Sequence, residues 1–445
     1  MAASRWTSTV VLLLLGTATE GFRVGPMLSR GASPPPPLTG GGHPVGSSRH
    51  KGAVVAPPPT MRLGATLRFW KKTKPTEETH TMTTKRTGTS FLPDEAVERA
   101  KAGNKVEKTK LEKDATAAWT DLYDYAAKIR AGELDWAAIE AGDAHVRLKW
   151  AGLLSRFKKT PGRFMLRLRT PNGITSAAAM RLYADAIAPY GDEVGVADIT
   201  TRQNWQLRGL TLEDGAALLP KLAAVNVTSY QSAMDNVRNV VGSPLAGLAG
   251  PRAGELVDTR PYCEALNDLV TLDPATGTRG NPTWGNLPRK FNIAVSAGPA
   301  DLAHAKINDL AFEAAPHATT RAPGFNVAVG GYFSARRSTH AVDLDLWIPA
   351  TVPNVLDVAT AVLRVFRDEG ARGDRQKARL MWLVDAYGLD AFKRRVLAEL
   401  GASWDVAWDA HQHGADDGAS DAARRPELLG IAPQHADDDD DDDDD

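Results

Sequence analysis

The sequence holds 445 residues, 43% hydrophobic and 24% charged, with 53 Lys and Arg against 54 Asp and Glu. The run from Asp437 to Asp445 supplies nine of the acids, so the rest of the chain carries 53 − 45 = +8, a mild excess that fits a small anion or an acidic protein partner and no nucleic acid. The lone cysteine, Cys263, excludes an intramolecular disulfide framework and any metal site built of cysteines alone.

At the N-terminus Arg5 precedes the apolar run "VVLLLLG", with Thr19 and Gly21 in the −3 and −1 places before Phe22. Residues 1–21 thus read as a signal peptide, too short in their apolar run to span a membrane. No acid then appears until Glu77, and residues 22–75 are rich in Pro, Gly, Ser and basic residues. That is the composition of a transit peptide, and signal plus transit segment together predict import into a plastid bounded by extra membranes. Secretion with an unstructured linker is the alternative. Residues 76–110 read as linker and the Asp run as a solvated tail.

Folded sequence is expected from about Leu111, with helices over 115–131 and 136–150. "GRFMLRLRT" (162–170) then alternates, placing Phe164, Leu166 and Leu168 on one face and Arg163, Met165, Arg167 and Arg169 on the other. Pro171, Asn172 and Gly173 mark a turn before a helix over 177–188. "ADITTRQNWQLRG" (197–209) alternates again, with Thr200, Arg202, Asn204, Gln206 and Arg208 on its polar side, and a helix over 213–225 follows. "MDNVRNVVG" contributes Asn236, Arg238 and Asn239. In "NLPRKFNIAV" (286–295) Phe291, Ile293 and Val295 form an apolar face while Lys290 and Asn292 share the opposite one. Helices are expected over 355–367 and 375–386, with Trp347, Phe366, Trp382 and Phe392 in the core.

No acid lies between Arg163 and Arg169 or between Thr200 and Gly209. Cationic strand faces without acids point to a polyanionic ligand, because guanidinium forks bind carboxylates through strong charge-assisted hydrogen bonds. Salt bridges to acids distant in sequence are the competing explanation.

These segments, together with "RLKWAGLLSR", "DTRPY", "INDLAF", "GFNVAVGGYFS" and "RDEGARGDRQKARLMWLVDAYG", resemble in order the N-terminal half of plant and algal ferredoxin-dependent nitrite reductases. The resemblance implies an α+β chain, with a ferredoxin-like half-domain over about 158–225 and a mixed siroheme-binding domain over about 228–400. It further implies siroheme, a tetrapyrrole with eight carboxylates, beside a [4Fe-4S] cluster, and six-electron reduction of nitrite to ammonium with ferredoxin as electron donor. By the family's pattern Arg167, Arg238, Lys290 and Asn292 hold and protonate the anion, and Arg202 and Arg208, with Asn204 and Asn236, face the cofactor. Sulfite reductases share the fold and usually carry lysine in the place of Asn292, so asparagine favours nitrite. Lys306 stands where many relatives have histidine.

After "LLGIAPQ" the family continues into a second half carrying four cluster cysteines, whereas here the sequence reads "HADDDDDDDDD". Residues 401–436 are thus read as the start of a second half cut short, and no metal ligands are expected in this chain. Sulfite reduction, or a non-catalytic siroheme- or anion-binding half that needs a cysteine-bearing partner, are the alternative functions.

Overall fold

The structure, a computed structural model, describes residues 86–251, 254–334, 337–402, 404 and 408–412. The signal, transit and poly-Asp segments and most of 401–436 lie outside the described residues.

Folded chain begins earlier than the sequence suggests. Helices α1 (Asp94–Lys101) and α2 (Lys105–Glu112) occupy the stretch read as linker. Asn104 starts α2 by accepting from the N–H groups of Val106 and Glu107 at 3.0 and 3.4 Å. Glu107 and Lys110 on this helix are buried, which a solvated linker would not permit. The helix α3 (Ala118–Arg130) follows. The single helix expected over 136–150 is broken into a 3-10 turn (Trp136–Ala138), α4 (Ala141–His145) and a second 3-10 turn (Arg147–Ala151). Asp135 and Glu140 each cap a new start, and Val146 leaves the helical region at φ −121°.

The first sheet is antiparallel, with β1 (Leu153–Ser155), β2 (Phe164–Arg167), β3 (Ala197–Ile199) and β4 (Trp205–Leu210) in the order β1-β2-β4-β3. Its helices are α5 (Ala177–Ile187), the short α6 (Gly191–Val194) and α7 (Leu212–Ala224). Phe164, Leu166 and Leu168 enter one core with Tyr183, Leu207 and Leu222, as the alternation requires.

The second sheet runs β10-β7-β6-β5. It comprises β5 (Ile293–Val295), β6 (Leu310–Pro316), β7 (Pro323–Val329) and β10 (Val342–Pro349), β5 pairing parallel with β6 and the rest antiparallel. A small hairpin, β8 (Tyr332–Phe333) and β9 (Ser338–Thr339), stands beside it. One face packs on α8 (Arg260–Thr271), α9 (Val352–Glu369), α10 (Leu380–Tyr387) and α11 (Leu389–Leu400) around Phe291, Ile293, Val295, Phe312, Phe325, Val362 and Phe366. The helix expected from 375 begins at Leu380, because Arg379 is extended at ψ 162° and only a 3-10 turn precedes it. Trp347, Phe366 and Phe392 are buried, whereas Trp382 is half-buried, with Arg337 4.4 Å and Lys377 5.9 Å from its ring centre. An antiparallel sheet and a mixed sheet, each with its own helical layer, make this an α+β fold.

Candidate active site

Three segments meet at a cavity of about 460 Å³: the β2 end, the turn between β3 and β4, and the loops that precede β5. Arg167, Arg202, Arg238, Arg289 and Lys290 line it, with Asn204, Gln206, Ser232, Asn239 and Asn292, and no carboxylate is among the described lining residues. Its size falls within the range of ligand pockets, roughly 300–1,000 Å³.

Each cation reaches the cavity for a local reason. Arg167 follows from the alternation of β2, opposite the buried Leu166 and Leu168. Arg202 sits in the turn that joins β3 to β4, closed by Thr200 N–H donating to Asn204 O at 3.0 Å. Its guanidinium donates to Asn308 Oδ1 at 2.8 Å and Asn239 O at 2.7 Å. Arg238 donates to Ser232 O and Met234 O at 3.1 and 2.9 Å, folding its own loop around it. Arg169, the next outward residue after Arg167, is buried beneath that loop. It bonds Asn267 Oδ1, Gln231 O, Val237 O and Arg238 O at 2.7 to 3.2 Å, fixing the loop from below. Lys290 and Asn292 flank Phe291, whose ring goes into the core.

The electrostatics are strained in one direction. Among the described residues the side chains of Arg167 and Lys290 have no hydrogen-bond or ion-pair partner, and the Nε atoms of Arg202 and Arg238 and Oδ1 of Asn292 are buried without one. Burial, then Arg379, Arg238 and Arg289, push Lys290 down to about 8, with Asp309 opposing. Burial pushes Arg202 down to about 10 and holds Arg167 and Arg238 below the usual arginine range. A bound anion relieves this strain.

Two expected residues stand elsewhere. Arg208 pairs with Asp198 at 2.6 Å across the β3–β4 ladder and does not line the cavity. Asn236 is buried and satisfied by Ala233 O at 2.7 Å. Arg289, Gln206, Ser232 and Asn239 join the lining without having been singled out as site residues, although Arg289 adjoins Lys290 in the same "PRKFN" stretch. Lys306 lies outside the lining, 3.6 Å from both Glu313 and Asp343. Gly330, at φ +83°, and Gly331 form a tight bend, where a Cβ on Gly331 would come within 2.4 Å of the carbonyls of Lys306 and Asn308. His411 is 3.9 Å from Asp343, and His413 lies outside the described residues.

Cys263 is buried in α8 against Asn172 Oδ1 at 3.5 Å, its thiol pushed up by burial. A [4Fe-4S] cluster takes four thiolates, so this sequence does not itself fit one. Among the described residues no group of three or more His, Cys, Asp or Glu is placed to hold a metal ion.

A half-domain of four antiparallel strands followed by a mixed sheet, with a cationic cavity where they meet, defines an α+β protein of two sheets. Residues 156–225 match the nitrite/sulfite reductase ferredoxin-like half domain, and residues 233–403 match the nitrite and sulphite reductase 4Fe-4S domain. The chain belongs to the nitrite and sulfite reductase family. It is 48% identical over 299 residues to a ferredoxin–nitrite reductase of Synechococcus elongatus, covering 67% of this chain and 55% of that one. With the chloroplastic ferredoxin–nitrite reductase of Zea mays it shares 42% identity, over 79% of this chain and 58% of the relative. The solved NirA protein of Mycobacterium tuberculosis superposes with a TM-score of 0.56 at 28% identity, covering 67% of this chain and 53% of that one. The chain thus spans about half the length of the relatives it matches.

Proposed function

We propose that this chain binds siroheme and nitrite in the one cationic cavity and serves the six-electron reduction of nitrite to ammonium, with ferredoxin as the electron donor. The observation that carries the reading is five cations lining one cavity with no carboxylate among the described lining residues, the side chains of two of them having no partner among the described residues. An octacarboxylate tetrapyrrole fits that donor set, and the buried, unpartnered Nε atoms of Arg202 and Arg238 are hydrogen-bond donors still in need of acceptors. When bound, siroheme supplies an iron that ligates the anion and accepts electrons.

The chain's own side chains do the rest. Arg202, aided by Asn204, meets cofactor carboxylates; Arg167, Arg238 and Lys290 hold anion oxygens and stabilise charge that develops there. Lys290, with its proton loosened to about 8, is the best placed group to hand a proton to a departing oxygen near neutral pH. Asn292 offers an amide in place of another charge, which suits a monoanion better than sulfite. The relatives' chloroplastic names and the N-terminal composition support a plastid location. Among the described residues no helix is long and apolar enough to cross a membrane.

Uroporphyrin I, a free-base tetrapyrrole with eight carboxylates, tests the cavity directly by fluorescence titration of the purified chain. Salt-sensitive binding that weakens about tenfold in Arg202→Gln is expected. Absence of binding, or binding indifferent to that substitution, contradicts the reading.

The single cysteine favours a second reading of the chain on its own, as a siroheme- and anion-binding half that draws its cluster thiolates from elsewhere. Alone, it should show no cubane signal by electron paramagnetic resonance and no methyl-viologen-dependent nitrite reduction. Turnover by the isolated chain would sink this second reading.

A further inference from the structure

The "INDLAF" stretch places a carboxylate behind the cavity wall. Asp309, wholly buried and one residue before β6, accepts the backbone N–H of Asn292 on Oδ2 at 2.7 Å. The same carboxylate takes Arg379 on both sides, Nε at 2.9 Å and a terminal nitrogen at 2.5 Å. Leu310 N–H returns a bond to Asn292 O at 3.1 Å, so Asn292 is gripped on both of its backbone polar groups. Arg379 is itself buried, stacked 4.8 Å from the ring centre of Tyr332. Next to Asp309, Asn308 Oδ1 accepts a single bond from Arg202 at 2.8 Å.

This carboxylate has two effects on the cavity. It fixes the strand entry from which the Asn292 amide projects, and it cancels a further cation standing directly behind five others. An uncancelled Arg379 would raise the positive potential at Lys290, and a more positive pocket discriminates in favour of the more highly charged anion. The charged groups that face Lys290 are Arg379 before α10, Arg238 on its loop, the adjacent Arg289, and Asp309. Only Asp309 among them is acidic.

We propose that Asp309 is a positioning residue that sets the anion preference of the cavity, by gripping the backbone of Asn292 and by neutralising Arg379 beside Lys290. The inference rests on the reading of this cavity as the nitrite site.

Its test is calorimetric titration of the purified full chain with nitrite as the monoanion probe and sulfate as a dianion probe that is not reduced, repeated from pH 6.5 to 9.5. The wild-type chain should bind both and lose nitrite affinity as the pH rises past about 8, where Lys290 gives up its proton. In Asp309→Asn the preference for sulfate over nitrite should rise about tenfold. The alkaline loss should move to lower pH, because the remaining cations make Lys290 easier to deprotonate. Asp309→Glu should restore both toward wild type. Arg379→Gln should do the opposite of Asp309→Asn, lowering the sulfate preference and moving the alkaline loss to higher pH. It also decides the matter if Asp309→Asn does not fold.

Equal loss of both affinities in folded Asp309→Asn, with the alkaline limb unmoved, would mark Asp309 as purely structural and overturn the proposal. An unchanged ratio and limb in Arg379→Gln would do the same. A wild-type chain that binds neither anion nor uroporphyrin defeats the reading of the cavity first, and this proposal with it.

Discussion

Glu107 and Arg372 lie 265 residues apart, yet their side chains meet at 2.8 Å with neither exposed to solvent. Lys110 joins them, donating to Glu107 at 2.5 Å and to Leu287 O at 3.0 Å, while Arg372 also bonds the Asn286 carbonyl at 2.9 Å. The helix α2 is thereby latched to the loop that leads to Lys290. Removing the carboxylate takes from buried Arg372 its acidic partner and leaves buried Lys110 only Asp235, at 3.5 Å. Glu107→Ala should therefore cost about 3–5 kcal/mol of stability, measured by denaturant unfolding. A loss under about 1 kcal/mol would mean that water reaches this network.

The two arginines of "TTRQNWQLR" should behave differently. Arg208 is neutralised by Asp198 and partly exposed, so Arg208→Gln should change uroporphyrin affinity by no more than about twofold. Arg202 has no acidic partner within ion-pair distance among the described residues and lines the cavity, so Arg202→Gln should weaken the same probe about tenfold. Equal effects of the two substitutions would contradict this assignment of the cofactor-facing cation.

Alternation carried much of the site in the sequence. Arg167 and the pair Lys290 and Asn292 were legible because a period of two leaves no freedom about which face opposes a buried Phe or Leu. Arg208 obeyed the same alternation and yet points to an acid. The counter-charge, Asp198, sits two residues before the acid-free stretch, and only strand pairing brings it across. The N-terminal helices escaped notice because "KVEKTKLEK" has the charge pattern of a solvated helix face. Its burial depends on Arg372 and Asp235, which no local pattern in the sequence connects to it. Side-chain caps at Asp135 and Glu140 likewise override the helical spacing of 136–150. Asp309 shows the remaining limit: a single acid next to an apolar strand gives no sign of which backbone it will hold.

Glu313 provides a pH-dependent contribution to stability away from the cavity. Burial first, then Asp301 and Asp343, push its carboxyl up to about 7 against the pull of Lys306. The folded state thus holds this proton between about pH 4.5 and 7 while the unfolded state releases it, so the site's contribution to stability falls as pH rises through that window. Glu313→Gln, which cannot ionise, should match wild type near pH 4.5 and exceed it by about 1–3 kcal/mol at pH 8. Thermal unfolding at the two pH values checks this. An equal difference at both would show that the carboxylate is not the destabilising species.

Asn292→Lys tests discrimination at its source. The amide oxygen is buried without a partner beside a lysine already pushed down by its cationic neighbours, and lysine here adds a charge to an acid-free lining. A second ammonium favours a dianion over a monoanion. In the chain complemented with a cysteine-bearing half from a relative, the ratio of sulfite to nitrite kcat/KM should rise by about one to two orders of magnitude, roughly 1.4–2.8 kcal/mol of differential transition-state stabilisation. Lys290→Ala should instead depress both reactions, since each anion uses that cation. If Asn292→Lys leaves the ratio unchanged while tetrapyrrole occupancy stays normal, discrimination does not reside in this side chain, and the charge balance held by Asp309 and Arg379 becomes the stronger candidate for it.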